Sequence, residues 1–348
     1  MQLDISPMQG NKITTAFLGL IVVFITGVVI WLAKPILLPF FLAIFLSFIL
    51  YPILDFSSRR LKIPKVISIF LILIITFFVI YLLGVLFYSS GKAFASEFPK
   101  YGQRINSILE SLQERLKLAP LKWDPLAWVE QLDINKVGSF LFASLGTFFS
   151  FISNLFLILI FLIFILIGRG NTKPKIQTSF SKRRASKIIK VIQNIDTQIQ
   201  KYLAIKTVVS LITGILVTFV LLLFGLDYAI VFGFLTFLLN YIPTVGSIIA
   251  TAFPVIIALF QFESLWPALW ILLILTVIQQ TLGGFIEPKL MGEGLGLSPL
   301  VVLFFLFFWG WLWGILGMIL AVPIAAMVKI VCSNIPSLKF VGELMSKA

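Results

Sequence analysis

The sequence contains no histidine and only one cysteine, Cys332, among its 348 residues. Without histidine there are no His-based metal sites, no Ser-His-Asp triads and no HExxH helices. A single cysteine forms neither an intrachain disulfide nor a thiolate metal cluster. The GxxxxGK[ST] phosphate loop of ATP-driven machines is also absent from the sequence. We therefore expect no enzyme activity, no cofactor and no bound metal.

Charged residues are scarce as well: they make up 12% of the chain, whereas 60% of its residues are hydrophobic. An ordinary soluble domain carries about 25% charged residues, because it needs a polar surface. A bilayer core about 30 Å thick is crossed by about 20 helical residues. Eight stretches at least that long contain no Asp, Glu, Lys or Arg, namely 13–33, 35–54, 66–91, 137–168, 207–226, 228–262, 264–286 and 294–328. The composition predicts an all-α, polytopic integral membrane protein with about eight hydrophobic segments, surrounded by a lipid bilayer.

The placement of the net charge of +13 predicts the orientation of the chain in the membrane. Basic residues concentrate in 169–206 and in the loop after the second apolar run, whereas 92–136 is nearly balanced. Basic loops stay in the cytoplasm, so both termini are predicted to be cytoplasmic and 92–136 to lie outside. Anionic lipid headgroups explain the basic surplus, and we expect no nucleic-acid partner.

The same patterns predict six parts. They are membrane spans in 1–91, an extracytoplasmic helical insert in 92–136, a fourth membrane segment in 137–168, a basic cytoplasmic amphipathic helix in 169–206, a C-terminal membrane core in 207–333 and a cytoplasmic tail in 334–348. The insert should contain an amphipathic helix and then a short helix from Asp124-Pro125 to about Leu132. The basic helix either lies along the inner headgroups or packs on a neighbouring helix.

Two of the uncharged runs, 228–262 and 294–328, contain 35 residues each. One helix of that length would measure roughly 52 Å, which exceeds a bilayer even when tilted. The first run is interrupted at Asn240-Tyr-Ile-Pro243-Thr-Val-Gly246 and the second at Trp309-Gly310-Trp-Leu-Trp-Gly314. Because Pro removes a backbone donor and Gly relaxes the chain, we predict two helix–turn–helix hairpins in the membrane. One long span over the first run is the alternative.

The second arms of the two hairpins resemble each other in sequence. Gly246-Ser-Ile-Ile-Ala250 is followed by Pro254, and Gly317-Met-Ile-Leu-Ala321 is followed by Pro323. Oppositely oriented hairpins of this kind mark a transport site near the midplane of the membrane. Chance similarity between segments rich in Gly, Ala and Ile is the alternative explanation. The opposed arrangement places Lys289 on the cytoplasmic side.

Polar groups at membrane depth are costly, so each is a candidate contact for a solute or an ion. The candidates are Asn240, Thr244, Gln279, Gln280, Glu287 and Glu293. Hydrogen bonding between helices explains the two glutamines equally well, and an interfacial pair with Lys289 is the favoured explanation for Glu287. Other residues are expected to shape the backbone or to allow close helix packing: Pro243, Gly246, Pro288, Gly292, Pro299, Gly310, Gly314, Gly317 and Pro323.

Several of these motifs together resemble a known family. They are Asn240-Tyr-Ile-Pro-Thr-Val-Gly-Ser247, Gln279-Gln280 leading to Ile286-Glu-Pro-Lys-Leu-Met-Gly292, Gly296-Leu-Ser-Pro299-Leu, and Gly314-Ile-Leu-Gly317-Met-Ile-Leu-Ala-Val-Pro323. This ordered set is similar to the signature of the autoinducer-2 exporters, also called PerM-like permeases. The resemblance implies a bacterial inner-membrane secondary transporter or permease that forms a homo-oligomer. Some members are linked to export of the quorum-sensing signal and others to sodium–proton antiport.

Three hypotheses about function follow. The leading one is a transporter or exporter of a small polar solute, and the resemblance implies an autoinducer-2-like signal as that solute. The second is a cation–proton antiporter, in which Glu287 or Glu293 would titrate. The third is a membrane scaffold that transports nothing and uses its polar residues to hold helices together.

Overall fold

The computed structural model describes residues 12–116, 154–168, 172–292 and 295–347. Over these ranges the chain is helical, apart from loops and one isolated β-bridge between Leu297 and Ser346. The helices are α1 (Lys12–Leu32), α2 (Lys34–Arg60), α3 (Lys65–Leu116), α4 (Asn154–Gly168), α5 (Thr172–Ser179), α6 (Lys182–Leu223), α7 (Ala229–Leu239), α8 (Val245–Gln261), α9 (Leu265–Gln279), α10 (Glu287–Met291), α11 (Pro299–Trp313), α12 (Ile315–Asn334) and α13 (Lys339–Leu344). The predicted all-α class is confirmed.

Five helical segments are long and apolar enough to cross a membrane, namely Lys34–Ser58, Lys65–Ala93, Lys182–Leu223, Leu265–Met291 and Ile315–Asn334. The helix pair Asn154–Gly168 and Lys173–Ser179, bent by 64° at its break, gives a sixth candidate. Large apolar side chains cover the outside of the molecule, as in Trp311 at 80% exposure and Phe285 at 75%. Such a surface is stable against lipid but not against water. The prediction of a polytopic membrane protein is confirmed.

Two helices continue beyond the apolar runs that contain their membrane spans. α3 extends from Lys65 to Leu116, so the third run and the predicted amphipathic helix of the insert form one helix. The short helix predicted from Asp124 to Leu132 lies outside the described residues. α6 likewise joins the basic segment to the fifth run. Its side chains Ile199 and Leu203 are fully buried, so this part of the basic helix packs on its neighbours. The division of the chain into six parts stays a prediction.

Residues 229–261 form the first predicted hairpin, hairpin 1, from the antiparallel helices α7 and α8. The chain turns at 240–244, where Thr244 adopts a positive φ of 61°. Gln261 closes the opposite end, or base, of the hairpin. Its side-chain oxygen accepts from the backbone N–H of Asp227 at 2.8 Å, and its side-chain nitrogen donates to the carbonyl oxygen of Gly225 at 2.7 Å. The second arm therefore returns to the level at which the first arm begins, and the single long span is excluded.

Residues 299–334 form the second predicted hairpin, hairpin 2, from α11 and α12. The turn is Gly314 alone, with φ of +71° and ψ of −150°, a conformation that glycine adopts readily. Lys329 closes the base of this hairpin. Its ammonium donates to the carbonyl oxygens of Leu295 at 3.0 Å and Gly296 at 2.6 Å. In each hairpin, therefore, a polar side chain near the end of the second arm closes the base.

The tips of the two hairpins share a second feature. A Cβ added to Gly246 would stand 2.7 Å from the carbonyl carbon of Leu239, and one added to Gly317 would stand 2.7 Å from that of Trp309. Only a glycine allows the second arm to approach the end of the first arm this closely. Gly246 and Gly317 occupy corresponding positions in the two similar motifs, and the structure gives them the same role.

Hairpin 1 lies alongside α6, and its tip and its base contact different parts of that helix. The tip of hairpin 1 lies beside the middle of α6, where the hydroxyls of Tyr241 and Thr207 share a hydrogen bond of 2.7 Å. Its base lies near the end of α6, because Ala229 belongs to the same apolar cluster as Val217 and Leu221. Hairpin 1 therefore extends from the middle of α6 towards its C-terminal end.

Hairpin 2 extends the other way, as its contacts with α2 show. Phe41 contacts Trp313 at the tip of hairpin 2, with 5.3 Å between ring centroids. One turn further along α2, Phe45 contacts Tyr241 at the tip of hairpin 1, with 5.8 Å between centroids. Further still, Phe48 of α2 lines a small cavity together with Met327, close to the base of hairpin 2, and with Leu203, which lies on the N-terminal side of Thr207 in α6. The two tips therefore meet near the middle of the molecule, and the two bases point in opposite directions.

Candidate functional site

A cavity of about 410 Å³ lies where the tip of hairpin 1 meets α6, the end of α9 and one wall of hairpin 2. Its lining is rich in amide, hydroxyl and charged side chains, contributed by Tyr202, Lys206, Asn240, Thr244, Ser247, Gln279, Gln280 and Glu287. Five of the six polar candidates from the sequence are thus brought together, although they come from positions 240 to 287. The sixth, Glu293, lies outside the described residues.

The tip of hairpin 1 supplies Asn240, Pro243 and Thr244 to this lining. Asn240 ends α7 and is 6% exposed, and its side-chain nitrogen donates to the hydroxyl of Ser210 on α6 at 3.2 Å. Pro243 follows in the turn and has no backbone N–H to satisfy. These features fix the tip against α6 and leave the side-chain oxygen of Asn240 and the exposed Thr244 beside the cavity.

The end of α9 supplies a second polar stripe. After Gln279 the helix widens into a π-helical turn over Gln280–Ile286 and then continues as α10. Gln280, Gly283 and Glu287 of this segment all line the cavity. A Cβ added to Gly283 would meet nothing within 4 Å, so the missing side chain leaves open space beside the cavity. Single π-helical turns occur frequently at functional sites.

The two glutamines have polar atoms that no described residue engages. Gln279 is 8% exposed, and within the described chain neither its side chain nor that of Gln280 forms a hydrogen bond. Neither glutamine therefore hydrogen-bonds to a neighbouring helix in the described part of the chain. Each amide reaches the open space of the cavity, since Gln280 is exposed and the amide of Gln279 is not sealed in the interior. Its donors and acceptor are available to a molecule inside the cavity.

The cavity also contains a buried ion pair. The ammonium of Lys206 on α6 donates to a carboxylate oxygen of Glu287 at 2.6 Å, and the two side chains are 7% and 13% exposed. The expected pairing of Glu287 with Lys289 is wrong, because residues two apart on a helix point in different directions. Lys206 was missed in the sequence because it ends a basic segment. Its spacing from Ile199 and Tyr202 could have revealed that it continues the buried face.

The wall formed by hairpin 2 is apolar, with Val302 and Val322 facing the cavity. Within the described chain, no hydrogen bond or ion pair joins residues 295–347 to any residue outside that range. The C-terminal tail belongs to the same unit, since the backbone N–H of Ser298 donates to the carbonyl oxygen of Met345 at 2.9 Å. Hairpin 2 and the tail are therefore held against the rest of the molecule by apolar and aromatic contacts.

The remaining residues expected to shape the backbone lie at helix ends or in the second hairpin. Pro288 is the second residue of α10, Gly292 ends that helix with φ of +63°, and Pro299 begins α11. Within hairpin 2, Gly310 allows the side chain of Met318 to approach α11, and Pro323 is buried inside α12. None of these five residues lines the described cavity.

Known proteins that are similar to this chain over most of its length are transport proteins by name. The sequence profile of the AI-2E family transporter matches residues 18–337. The AI-2 transport protein TqsA of Escherichia coli is 31% identical over 348 residues, covering 99% of this chain and 98% of that protein. A protein of Borreliella burgdorferi is 33% identical over 343 residues (97% and 92%), and one of Haemophilus influenzae is 33% identical over 338 residues (95% and 96%); both are provisionally named transport proteins. The chain belongs to the AI-2E family of transporters.

Proposed function

We propose that this protein is a bacterial secondary transporter that moves a small polar solute through the cavity between its two opposed hairpins. The observation that carries the proposal is the pair of glutamines, Gln279 and Gln280, whose amides line the cavity without a hydrogen-bonding partner in the described chain. Asn240 and Thr244 would supply further contacts from hairpin 1. No ATP-binding loop is present in the sequence, so the driving force would be a gradient.

The lining favours a solute that carries several oxygen atoms. Amide and hydroxyl groups both donate and accept hydrogen bonds, so they match hydroxyl and carbonyl groups of a ligand. A volume of about 410 Å³ lies within the usual range for small-molecule sites. The name of the Escherichia coli relative specifies AI-2. We therefore propose an autoinducer-2-like signal molecule as the cargo.

Hairpin 2 is the element best suited to move during transport. Its contacts with the rest of the described chain are apolar, so sliding or tilting it breaks no hydrogen bond there. Hairpin 1, in contrast, is bonded to α6 through Asn240 and Tyr241. A displacement of hairpin 2 would carry Val302 and Val322 away from the polar wall and open the cavity. We also propose an inner-membrane location and a homo-oligomer, which the family resemblance supports, and cytoplasmic termini, which the placement of the basic loops supports.

A second candidate function rests on Glu287. Its carboxylate lines the cavity and is 13% exposed, so a cation entering the cavity could exchange with a proton on this group. Sodium–proton or other cation–proton antiport would then be the activity. Glu293, the other carboxylate considered for this role, lies outside the described residues.

Flux measurements in proteoliposomes separate these functions. We expect efflux of autoinducer-2 from vesicles that contain the wild-type protein or Gln193→Leu, a control on the exposed face of α6. The Gln279→Leu variant should lose that efflux while eluting from size-exclusion chromatography like the wild type. A sodium-driven pH change that disappears in Glu287→Gln would establish antiport instead. If neither solute nor cation flux occurs, the transport proposal is refuted and the scaffold hypothesis stands.

A further inference from the structure

Lys206 and Glu287 are the charged members of the described cavity lining. Their charges are opposite, and the two groups are in direct contact at 2.6 Å. The lining therefore has a net charge of zero, although it contains two full charges. Neither residue is needed to explain the apolar packing of α6, since the neighbouring Leu203 and Val209 already bury that helix.

The energetic effect of the two charges is large because both side chains of the pair are nearly buried. In such surroundings the interaction between two unit charges is several times stronger than in bulk water. A solute ion that enters a neutral cavity loses its hydration and gains no opposing net charge in return. If one member of the pair were missing, the other would attract ions of opposite sign and repel those of the same sign.

We propose that the Lys206–Glu287 pair determines the charge selectivity of the cavity. By keeping the lining neutral, the pair admits uncharged polar solutes and excludes anions and cations alike. This inference deepens the proposed function and rests on it, because the solute site is the same cavity. It makes Lys206 a specificity-determining residue, although Lys206 lies well before the hairpin motifs in the sequence.

A simpler role for the pair is a tether that holds α6 to the segment after α9. The two roles predict different behaviour for a variant that removes both charges. Lys206→Met with Glu287→Gln loses the tether but keeps the cavity neutral. A tether role predicts that this double variant behaves like the single variants. A selectivity role predicts that the single variants deviate in opposite directions and that the double variant returns to the wild-type behaviour.

Charged thiol reagents measure the selectivity without knowledge of the cargo. We would place a cysteine at Thr244, an exposed residue of the lining, in a Cys332→Ala background. The probes are a methanethiosulfonate with an anionic sulfonate group and one with a cationic trimethylammonium group. The quantity measured is the ratio of their labelling rates in the full-length protein in detergent. A methanethiosulfonate with an uncharged side chain reports whether the cysteine remains accessible.

We expect Lys206→Met to shift this ratio at least about tenfold towards the cationic reagent, and Glu287→Gln to shift it similarly towards the anionic one. The double variant should return to within about threefold of the parent, because its cavity is again neutral. Lys339 and Glu343 provide a matched control pair, 3.5 Å apart and 67% exposed on each side chain. Their neutralisation, as Lys339→Met or Glu343→Gln, should leave the ratio unchanged, since solvent screens exposed charges.

The proposal is overturned if the single variants leave the ratio unchanged, or if the double variant keeps the shift of either single variant. If Lys206→Met fails to fold, the comparison of Glu287→Gln with the double variant still distinguishes the selectivity role from the tether role. Labelling does not depend on flux, so the two proposals fail separately. Predicted labelling ratios without any solute flux would refute transport and retain the electrostatic role. Normal flux with unchanged ratios would refute the selectivity role alone.

Discussion

Replacement of Gly246 by alanine should force the two arms of hairpin 1 apart. The new Cβ would stand 2.7 Å from the carbonyl carbon of Leu239 and would overlap the attached oxygen. Ordinary contacts between carbon atoms are about 3.5–4.0 Å, so the start of α8 must move by about 1 Å. The obstacle is backbone and cannot rotate away as a flexible side chain could. The displacement therefore reaches Asn240, whose 3.2 Å bond to Ser210 is already long.

The size of the effect follows from two opposing contributions. Overpacking a well-packed site costs about 1–3 kcal/mol. Alanine in place of glycine inside a helix stabilises the folded state by about 0.5–1 kcal/mol. Because the obstacle is backbone, we take the upper part of the first range and expect a net loss of about 1–2 kcal/mol in the free energy of unfolding. Gly317→Ala should show a loss of similar size, because its Cβ would stand equally close, at 2.7 Å, to the carbonyl carbon of Trp309.

Thermal unfolding of the detergent-purified protein, followed by tryptophan fluorescence, measures this effect. The Tm of Gly246→Ala should fall by at least about 2–4 °C relative to the wild type. Gly27→Ala in α1 is the matched control, because a Cβ there would meet nothing within 4 Å, and its Tm should not fall. Equal Tm values for Gly246→Ala and Gly27→Ala would show that the hairpin tip is not closely packed.

Three further predictions concern the orientation of the hairpins and the contacts that close their bases. A cysteine in place of Lys289, in the Cys332→Ala background, should react with an impermeant maleimide only from the cytoplasmic side; labelling of intact cells from outside would contradict the opposed orientation. Lys329→Met removes two hydrogen bonds to the loop before α11. It should therefore lower the Tm by several degrees, and an unchanged Tm would show that this contact is not stabilising. Gln261→Leu should accelerate hydrogen exchange at the backbone amide of Asp227, which donates to the Gln261 side chain at 2.8 Å, and an unchanged exchange rate would contradict that bond.

The fold class and the hairpins could be predicted from the sequence because lipid imposes simple length rules. An uncharged run of 35 residues is too long for one span, and its Gly and Pro residues mark where the chain turns. The polar candidates converge on one cavity for a related reason. A polar side chain at membrane depth is stable only inside the protein, so residues such as Asn240 and Gln279 face a common interior.

The ends of the long helices could not be predicted in the same way. Charged residues mark where a segment leaves the membrane, but Lys, Arg and Glu are also good helix formers. The chain therefore leaves the apolar region without ending its helix, as it does in α3 up to Leu116. In α6, similarly, a basic segment leads directly into a membrane span. The sequence shows where the chain passes from lipid to water, whereas backbone hydrogen bonding determines where the helix ends.

The ion pair shows a second limit of sequence reasoning. Glu287 bonds to Lys206, 81 residues away in the sequence, and not to the nearby Lys289. Local spacing excludes the nearer lysine as a helical neighbour but does not identify the distant one. Choosing Lys206 requires the packing of α6 against the end of α9, which depends on how every intervening helix is placed. The opposed orientation of the hairpins was likewise a hypothesis from weak internal similarity, and the contacts with α6 and α2 support it.

The central claim is that solute passes through the cavity beside Thr244. The most direct test measures autoinducer-2 efflux from proteoliposomes containing Thr244→Cys in the Cys332→Ala background, before and after reaction with a bulky maleimide. Gln193→Cys, on the exposed face of α6, controls for the modification itself. We predict that the maleimide abolishes efflux through Thr244→Cys and leaves efflux through Gln193→Cys unchanged. Undiminished efflux through fully modified Thr244→Cys would contradict the claim.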